Sequence, residues 1–358
     1  MAEPSPCGRV VAIQANFCWV ELDSPVSGGV TRLLCTQRTR LAKSGQRICT
    51  GDRVRLAGID WTAGRAAVAS LLPRHSLLLR PAVANLTRVV VVVALAEPDP
   101  DPVQLNRFLI TAEATAQPVE LVFSKADLAE PAVADDWCRQ VSSWGYAPMV
   151  VSTTTTQGLD ELRRRLSRPG LAVLCGPSGV GKTSLLNALR PDLCLRVGAV
   201  SGRLQRGRHT TRHVELFPLD PGAYVADSPG FNRPALPADP TALAFLFPEL
   251  RAPLAEATCR FSNCLHQGDP GCAIQAGWSR EPFYLQCLAE LLALNGRQPQ
   301  PSGASQGWRR RGARDEPCLD PRLRQESRRR QRQQGCQEDM PDEVSSPGDE
   351  VIPQGRED

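Results

Sequence analysis

No run of apolar residues in this chain is long enough to cross a bilayer. The most apolar stretch runs from Val89 to Ala96, whereas a helical span needs about twenty residues. The N-terminus, MAEPSPCGRV, lacks the charged-then-apolar layout of a secretory signal. Thirteen cysteines show no regular disulfide framework, and most sit singly among apolar residues. That argues for a reducing compartment, with clustered cysteines pointing to a metal rather than to bridges. Excess charge is also scarce. A net charge of +4 is too slight by itself to imply a nucleic-acid partner. The expectation is a cytoplasmic protein without a membrane partner, monomeric by default. What is present is an ordinary apolar fraction, 42% of 358 residues. That is enough for two or three domains, each with its own core.

The chain divides by texture. Residues 1–75 hold five short strand-like runs, GRVVAIQ, FCWVEL, VTRLLCT, GDRVRLAGI and RAAVASLL, punctuated by Gly, Asn, Asp and Ser. Five short strands in this length predict a small barrel of the OB type, an RNA-binding fold; another small β-domain is the alternative. Residues 76–238 alternate strand-like runs at 88–95, 119–123, 147–151, 171–175 and 223–227 with helix-like segments. That alternation predicts a mainly parallel sheet covered by helices, with ligands at the carboxyl ends of its strands. Residues 239–295 read as a helical domain interrupted by a Cys/His knot, its last helix packed on the knot. Residues 296–358 read as a disordered tail. Ten arginines fall within 308–332 and eight acidic residues within 338–358, a basic then acidic pattern. The tail is either solvated without a specific role or RNA-binding.

The strongest motif is GPSGVGKTS. Gly176, Gly181, Lys182 and Thr183 fill G-x-x-x-x-G-K-[ST] between a strand and a helix. Backbone N–H groups along Gly176, Pro177, Ser178, Gly179, Val180, Gly181, Lys182, Thr183 and Ser184, proline excepted, can wrap phosphates, and the helix N-terminus adds partial positive charge. Lys182 can reach the β- and γ-phosphates, and the Thr183 hydroxyl can hold Mg²⁺. A second motif, YVADSPGF, ends a strand in Asp227. Asp227 can bind Mg²⁺ through water, and the Gly230 N–H can sense a γ-phosphate. Phe231 follows, and a Phe side chain cannot orient an attacking water. Between the two motifs lies GRLQRGRHTTRHVELF, 202–217, read as a mobile switch loop. There Thr210 or Thr211 can complete the Mg²⁺ shell, and His209 can place the water. An RNA-contacting loop is a compatible reading.

FSKADL, 123–128, precedes the phosphate loop, although a guanine-reading loop ordinarily follows it. The Asp127 carboxylate can accept from guanine N1–H and the exocyclic amine. The stem of Lys125 can lie over the base and brace the phosphate loop, with Ala126 between them. Ser124 can supply one hydrogen bond but not the two-ended grip of Asn. After the next strand, Ser152 and Thr153 are placed to touch the base edge. The order is therefore base loop, second base loop, phosphate loop, switch, Asp-x-x-Gly. That is a rotation of the usual order, as a circular permutation produces. Finally, CRFSNCLHQGDPGC sets Cys259, Cys264, His266 and Cys272 in the spacing C-x₄-C-x-H-x₅-C. Three thiolates and an imidazole suit a closed tetrahedral Zn²⁺ site, hence a structural one.

The permuted order, GPSGVGKTSLLN, GRHTT, DSPGF and the knot together resemble the ribosome small-subunit-dependent GTPase A family over about residues 8–295. The resemblance implies an OB-fold, a circularly permuted GTPase domain and a zinc domain. It implies binding to the small ribosomal subunit and its rRNA late in maturation, with GTP hydrolysis stimulated by the ribosome. It carries GTP binding to Lys125, Asp127 and 176–184, a catalytic role to His209, and Zn²⁺ to the four knot residues. Ser124 departs from the family's Asn. Two other functions compete. A guanylate-kinase-like enzyme would share GPSGVGKTS, but no lid or phosphoacceptor site is recognisable. An RNA-binding scaffold with a degenerate nucleotide site conflicts with an intact Lys182, Thr183 and Asp227.

Overall fold

The computed structural model describes residues 6–14, 17–24, 30–37, 47–79, 82–195, 214–227, 236–237, 239–297, 308–311 and 316–319. They fall into two compact units, Met1–Arg251 with Gly277–Pro299, and Ala252–Ala276 with Gln300–Asp358.

The first unit opens with the expected barrel. Strands β1 (Cys7–Gln14), β2 (Phe17–Leu22), β3 (Arg32–Gln37), β4 (Arg53–Asp60) and β5 (Arg65–Leu71) pair in the order β1-β2-β3-β5-β4, and β4 returns to β1. Closure leaves few open edges. Alternate side chains point inward, so Val10, Val20, Leu33, Val54, Leu56 and Val68 are fully buried together. A small pair, β6 (Leu77–Leu79) and β7 (Ala82–Ala84), then leads into the central sheet.

That sheet contains β8 (Arg88–Ala94), β9 (Val119–Ser124), β10 (Met149–Val150), β11 (Gly170–Cys175), β12 (Glu215–Asp220) and β13 (Ala223–Asp227). Its order is β10-β9-β8-β11-β13-β12, and it continues from β12 into β1 of the barrel. The pairings from β10 through β13 are parallel, whereas β12 runs antiparallel to β13. β8, RVVVVVA, is buried along its whole length. It lies at the sheet centre and is covered on both faces, so its apolar residues do not alternate with polar ones. Val89, Val91 and Val93 join one core, whereas Val90, Val92 and Ala94 join the other.

Helices α1 (Pro102–Glu113) and α2 (Pro131–Ser143) cover the first face with Leu105, Phe108, Leu109 and Val141. Asp101 caps α1, its carboxylate accepting the Val103 N–H at 2.9 Å, and Pro102 follows at the first helical position. On the other face, α3 (Leu159–Leu166) and α4 (Lys182–Leu189) contribute Leu162, Leu166, Leu185, Leu186 and Leu189. α3, LDELRRRL, carries acids in its first turn and arginines in its last, matching the helix dipole.

Two differences from the sequence expectations concern the C-terminal half. The segment 202–217 does not remain a loop throughout, because Glu215–Asp220 is strand β12. Leu216 and Leu219 are buried, and Pro221-Gly222 turns the chain into β13. After α5 (Pro248–Glu256), α6 (Glu281–Arg297) belongs to the first unit. Arg107 on α1 pairs with Glu290 on α6, and the buried Arg280 donates to Asn106 Oδ1 at 2.5 Å and to Glu249 at 3.1 Å. The Cys/His knot belongs to the second unit. Of the expected disordered tail 296–358, residues 296 and 297 end α6, and β14 (Trp308–Arg311) and β15 (Glu316–Leu319) form an antiparallel pair; the remainder lies outside the described residues. Among the described residues, no helix is long and apolar enough to cross a membrane.

Candidate nucleotide site and metal centre

The phosphate loop leaves β11 at Gly176 and enters α4 at Lys182. Gly176 has φ +141, and a Cβ there would lie 2.0 Å from the Val92 carbonyl oxygen, so only glycine lets the loop pass so close to β8. Gly181, left-handed at φ 88, caps α4 without a side-chain hydrogen bond. The first-turn amides of α4 thus have no side-chain cap at this end. Ser178 is exposed, Pro177, Gly179, Lys182, Thr183 and Ser184 are half-buried, and Val180 is buried beneath the loop.

Lys182 curls back over the loop and donates to the carbonyl oxygens of Gly176 at 2.8 Å and Pro177 at 2.7 Å. Burial lowers its pKa, with Asp227 opposing. A cation held among neutral carbonyls in a partly dry place fits an anion. Thr183 donates its hydroxyl to Asp227 Oδ2 at 3.2 Å. A hydroxyl and a carboxylate side by side are the hard oxygen ligands that Mg²⁺ takes.

The base loop ends β9. Lys125 adopts a left-handed conformation, φ 56, and its ammonium donates to the Glu97 carbonyl. The bracing expected of Lys125 is made instead by Ser124. This side chain is 3% exposed, and its hydroxyl lies 2.6 Å from the Val180 carbonyl oxygen and 3.3 Å from that of Val93. A hydroxyl has one proton, and the shorter contact assigns it to the phosphate loop. Ser124 therefore ties the base loop to the phosphate loop.

Asp127 is exposed, and its carboxylate accepts the Ser152 hydroxyl at 2.6 Å. That hydrogen bond, the largest of several causes, lowers its pKa. Ser152 is fully buried and accepts the amides of Thr154 at 3.2 Å and Thr155 at 3.0 Å. Its own N–H goes to Gln157. Both donors of Ser152 are thus spent on shaping the loop and aiming Asp127. Ala126 ties the two base loops through its N–H to the Val151 carbonyl at 3.2 Å, and Thr153 is exposed beside them. The structure thus gathers Ser124, Lys125, Ala126, Asp127, Ser152, Thr153, Gly176–Ser184 and Asp227 at one end of the sheet. His209, Thr210, Thr211, Gly230 and Phe231 lie outside the described residues.

In the second unit, the ligand atoms of Cys259, Cys264, His266 and Cys272 all lie within 4.8 Å of one another. His266 Nδ1 is 3.6 Å from the Cys259 sulfur and 3.4 Å from the Cys272 sulfur. Zinc–ligand bonds at the tetrahedral angle separate a sulfur and a nitrogen by about 3.6 Å. Backbone amides of His266, Ala273 and Ile274 point at the sulfurs of Cys264, Cys259 and Cys272, at 3.4, 3.3 and 3.3 Å. Donors aimed at sulfur favour thiolates, the form that binds metal. The donor set fits Zn²⁺.

Residues 71–237 match the model of the RsgA GTPase family. A protein named small ribosomal subunit biogenesis GTPase RsgA from Synechococcus sp. strain CC9311 is 53% identical over 293 residues, 82% of this chain and 96% of its own. A namesake from Thermosynechococcus vestitus is 44% identical over 331 residues, 91% of this chain and 94% of its own. Among solved structures, YjeQ from Thermotoga maritima is similar with a TM-score of 0.67 and 28% identity, covering 80% of this chain and 98% of that one. YloQ, described as a circularly permuted GTPase, is similar with a TM-score of 0.65 and 25% identity over 83% of this chain and 97% of its own. With its motifs in rotated order along one parallel sheet and its relatives matched over nearly their full length, the chain belongs to the RsgA GTPase family.

Proposed function

We propose that this chain is a GTPase of small-ribosomal-subunit biogenesis, hydrolysing GTP to GDP and phosphate. The observation that carries the reading is convergence. The base loop after β9, the phosphate loop after β11 and Asp227 at the end of β13 meet at one end of a parallel sheet, where such sheets bind ligands. The relatives' shared name supplies the biology: it describes GTPases of small-subunit biogenesis.

In this reading the amides of Gly176–Ser184 and the Lys182 ammonium bind the phosphates, and Thr183 with Asp227 hold Mg²⁺. Mg²⁺, when bound, neutralises the charge that develops on the phosphate oxygens. Asp127, aimed by Ser152, accepts from the two guanine donors that adenine lacks. Lys125 covers the base, with Ala126 and Thr153 beside it, and Ser124 keeps the base loop in register with the phosphate loop. His209 places the attacking water, Thr210 or Thr211 completes the Mg²⁺ shell, and Gly230 senses the γ-phosphate. Support for these four is their place in the motif order. Phe231 cannot orient water, which is consistent with turnover that waits for the subunit late in its maturation. Cys259, Cys264, His266 and Cys272 hold one structural Zn²⁺. The barrel, the zinc domain and the arginine-rich tail grip rRNA through phosphate contacts and stacking, in a cytoplasmic monomer that uses neither DNA nor a membrane.

The test is steady-state hydrolysis with and without purified small subunits, with ATP as control. GTP turnover rises by roughly tenfold or more on adding subunits, and ATP stays inert. Turnover indifferent to subunits, or phosphorylation of GMP, overturns the reading.

A further inference from the structure

We infer that three barrel residues, Thr50, Glu21 and Arg32, are positioning residues for the GTP site, coupling the barrel to the nucleotide through the β12–β13 hairpin. The inference rests on the GTPase reading above. The hairpin's two open ends are the ends that matter. Val214, just before β12, lies three residues after Thr211 in the chain, and Asp227 ends β13.

The GTPase sheet holds this hairpin on one side only, through β11 and β13. The barrel holds the other. β1 meets β12 at Ala12 opposite Glu215. Thr50, 3% exposed, donates its hydroxyl to the Val214 carbonyl at 3.1 Å. Thr50 is itself fixed. The Ala84 N–H reaches its carbonyl at 2.8 Å, and the neighbouring Gly51 N–H reaches the Val10 carbonyl at 2.8 Å. At Gly51, φ is +90 and a Cβ would lie 2.1 Å from the Ala84 oxygen, so the junction tolerates no side chain there. Arg32 pairs with Glu215 at 3.6 Å and lies over the Trp19 ring. On β13, the Tyr224 hydroxyl donates to Glu21 Oε1 at 2.9 Å, and Arg9 lies over the Tyr224 ring.

The barrel side of these contacts is a single row. Arg53, Arg9, Glu21 and Arg32 are successive cross-strand neighbours on β4, β1, β2 and β3, so their side chains share one face. In that row Arg9 is part-buried against Tyr224 and Arg53 is paired with Asp23, which leaves Arg32 as the exposed arginine that a phosphate can reach. A phosphate that draws Arg32 loosens its hold on Glu215, which stands directly opposite Asp227 in the hairpin. By linkage the effect runs both ways.

Hydrogen exchange of the full-length protein, bound to a non-hydrolysable GTP analogue or to GDP, tests this without a ribosome. In the wild type, amides of Val10–Leu22 exchange at rates differing by about threefold or more between the two forms. Thr50→Val with Tyr224→Phe leaves only the Arg32–Glu215 pair and the β1–β12 pairing, so it reduces that difference by at least half and leaves the one at Gly176–Ser184 in place. Thr50→Ser and Glu21→Gln, which keep the donor and the acceptor, behave as wild type. Tyr224→Phe alone, removing one oxygen, shrinks the barrel difference and stands in should the double variant not fold. Barrel exchange that ignores the nucleotide in the wild type, or a difference undiminished in both Tyr224→Phe variants, overturns the inference. If the phosphate-loop amides also ignore the nucleotide, the GTPase reading itself falls and takes this inference with it.

Discussion

Replacing Ser124 by Ala removes one oxygen from beneath the nucleotide site. The hydroxyl lies 2.6 Å from the Val180 carbonyl, and the two residues are 3% and 1% exposed. Water therefore cannot take over, and the Val180 carbonyl loses a buried partner at a cost of about 1–3 kcal/mol. Part of that cost falls on the nucleotide-free protein and appears as lost stability. The part that falls on ordering the phosphate loop appears in affinity, up to roughly 5- to 150-fold. Titration with a fluorescent GDP analogue, paired with thermal unfolding with and without GDP, measures both parts. GTP and GDP weaken by the same factor, because Val180 lies under the loop and not at the γ-phosphate. The preference over ATP stays, because in the proposed reading Asp127 carries it. Ser124→Asn tightens both guanine nucleotides, since an amide can donate to Val180 and keep a second N–H for the base. Unchanged affinity and unchanged stability in Ser124→Ala refute the brace.

Lys182→Met abolishes hydrolysis yet raises the unfolding midpoint without nucleotide, by roughly 2–4 °C per kcal/mol relieved. Burial lowers the Lys182 pKa, so its charged form costs the empty fold stability at neutral pH, and the cost fades as pH rises through the lowered value; a lower midpoint at pH 7 contradicts this. The Ser152 hydrogen bond holds the Asp127 pKa below its ordinary 3.8, so guanine binding stays flat from pH 7 to about 5 and is lost only as pH falls through the depressed value. In Ser152→Ala the loss begins at higher pH, and coincident profiles would clear Ser152 of aiming Asp127. Metal analysis of the purified protein finds one zinc per chain, and Cys264→Ser lowers it to none; a zinc-free wild type sinks the centre.

Much of this was legible before the fold. β8 is an uninterrupted valine run, and only a strand covered on both faces can afford one. The phosphate loop is readable because close backbone approach demands glycine at fixed offsets, and the knot because four Cys/His ligands close in sequence fall together in space. β12 was missed for a physical reason. Pro218 interrupts its alternation, and the register shifts between Pro218 and Asp220, as proline in an irregular strand requires. Leu216, Leu219 and the Pro221-Gly222 turn were the available signal. The partners of Ser124 and Lys125 were invisible, since Val180 and Glu97 are far off in sequence and nothing local selects them.

The rotated chain order also has a consequence in time. β8 finds β9 soon after it is made, but its other edge pairs with β11, at Ala172 opposite Arg88, about 80 residues later. At synthesis rates of about 5–20 residues per second that is roughly 4–16 seconds, with a valine strand open along one side. Such an edge is a template for pairing with another chain. In the proposed reading, the half of the domain that reads the base therefore waits with one open edge until the half that holds the phosphates has been made.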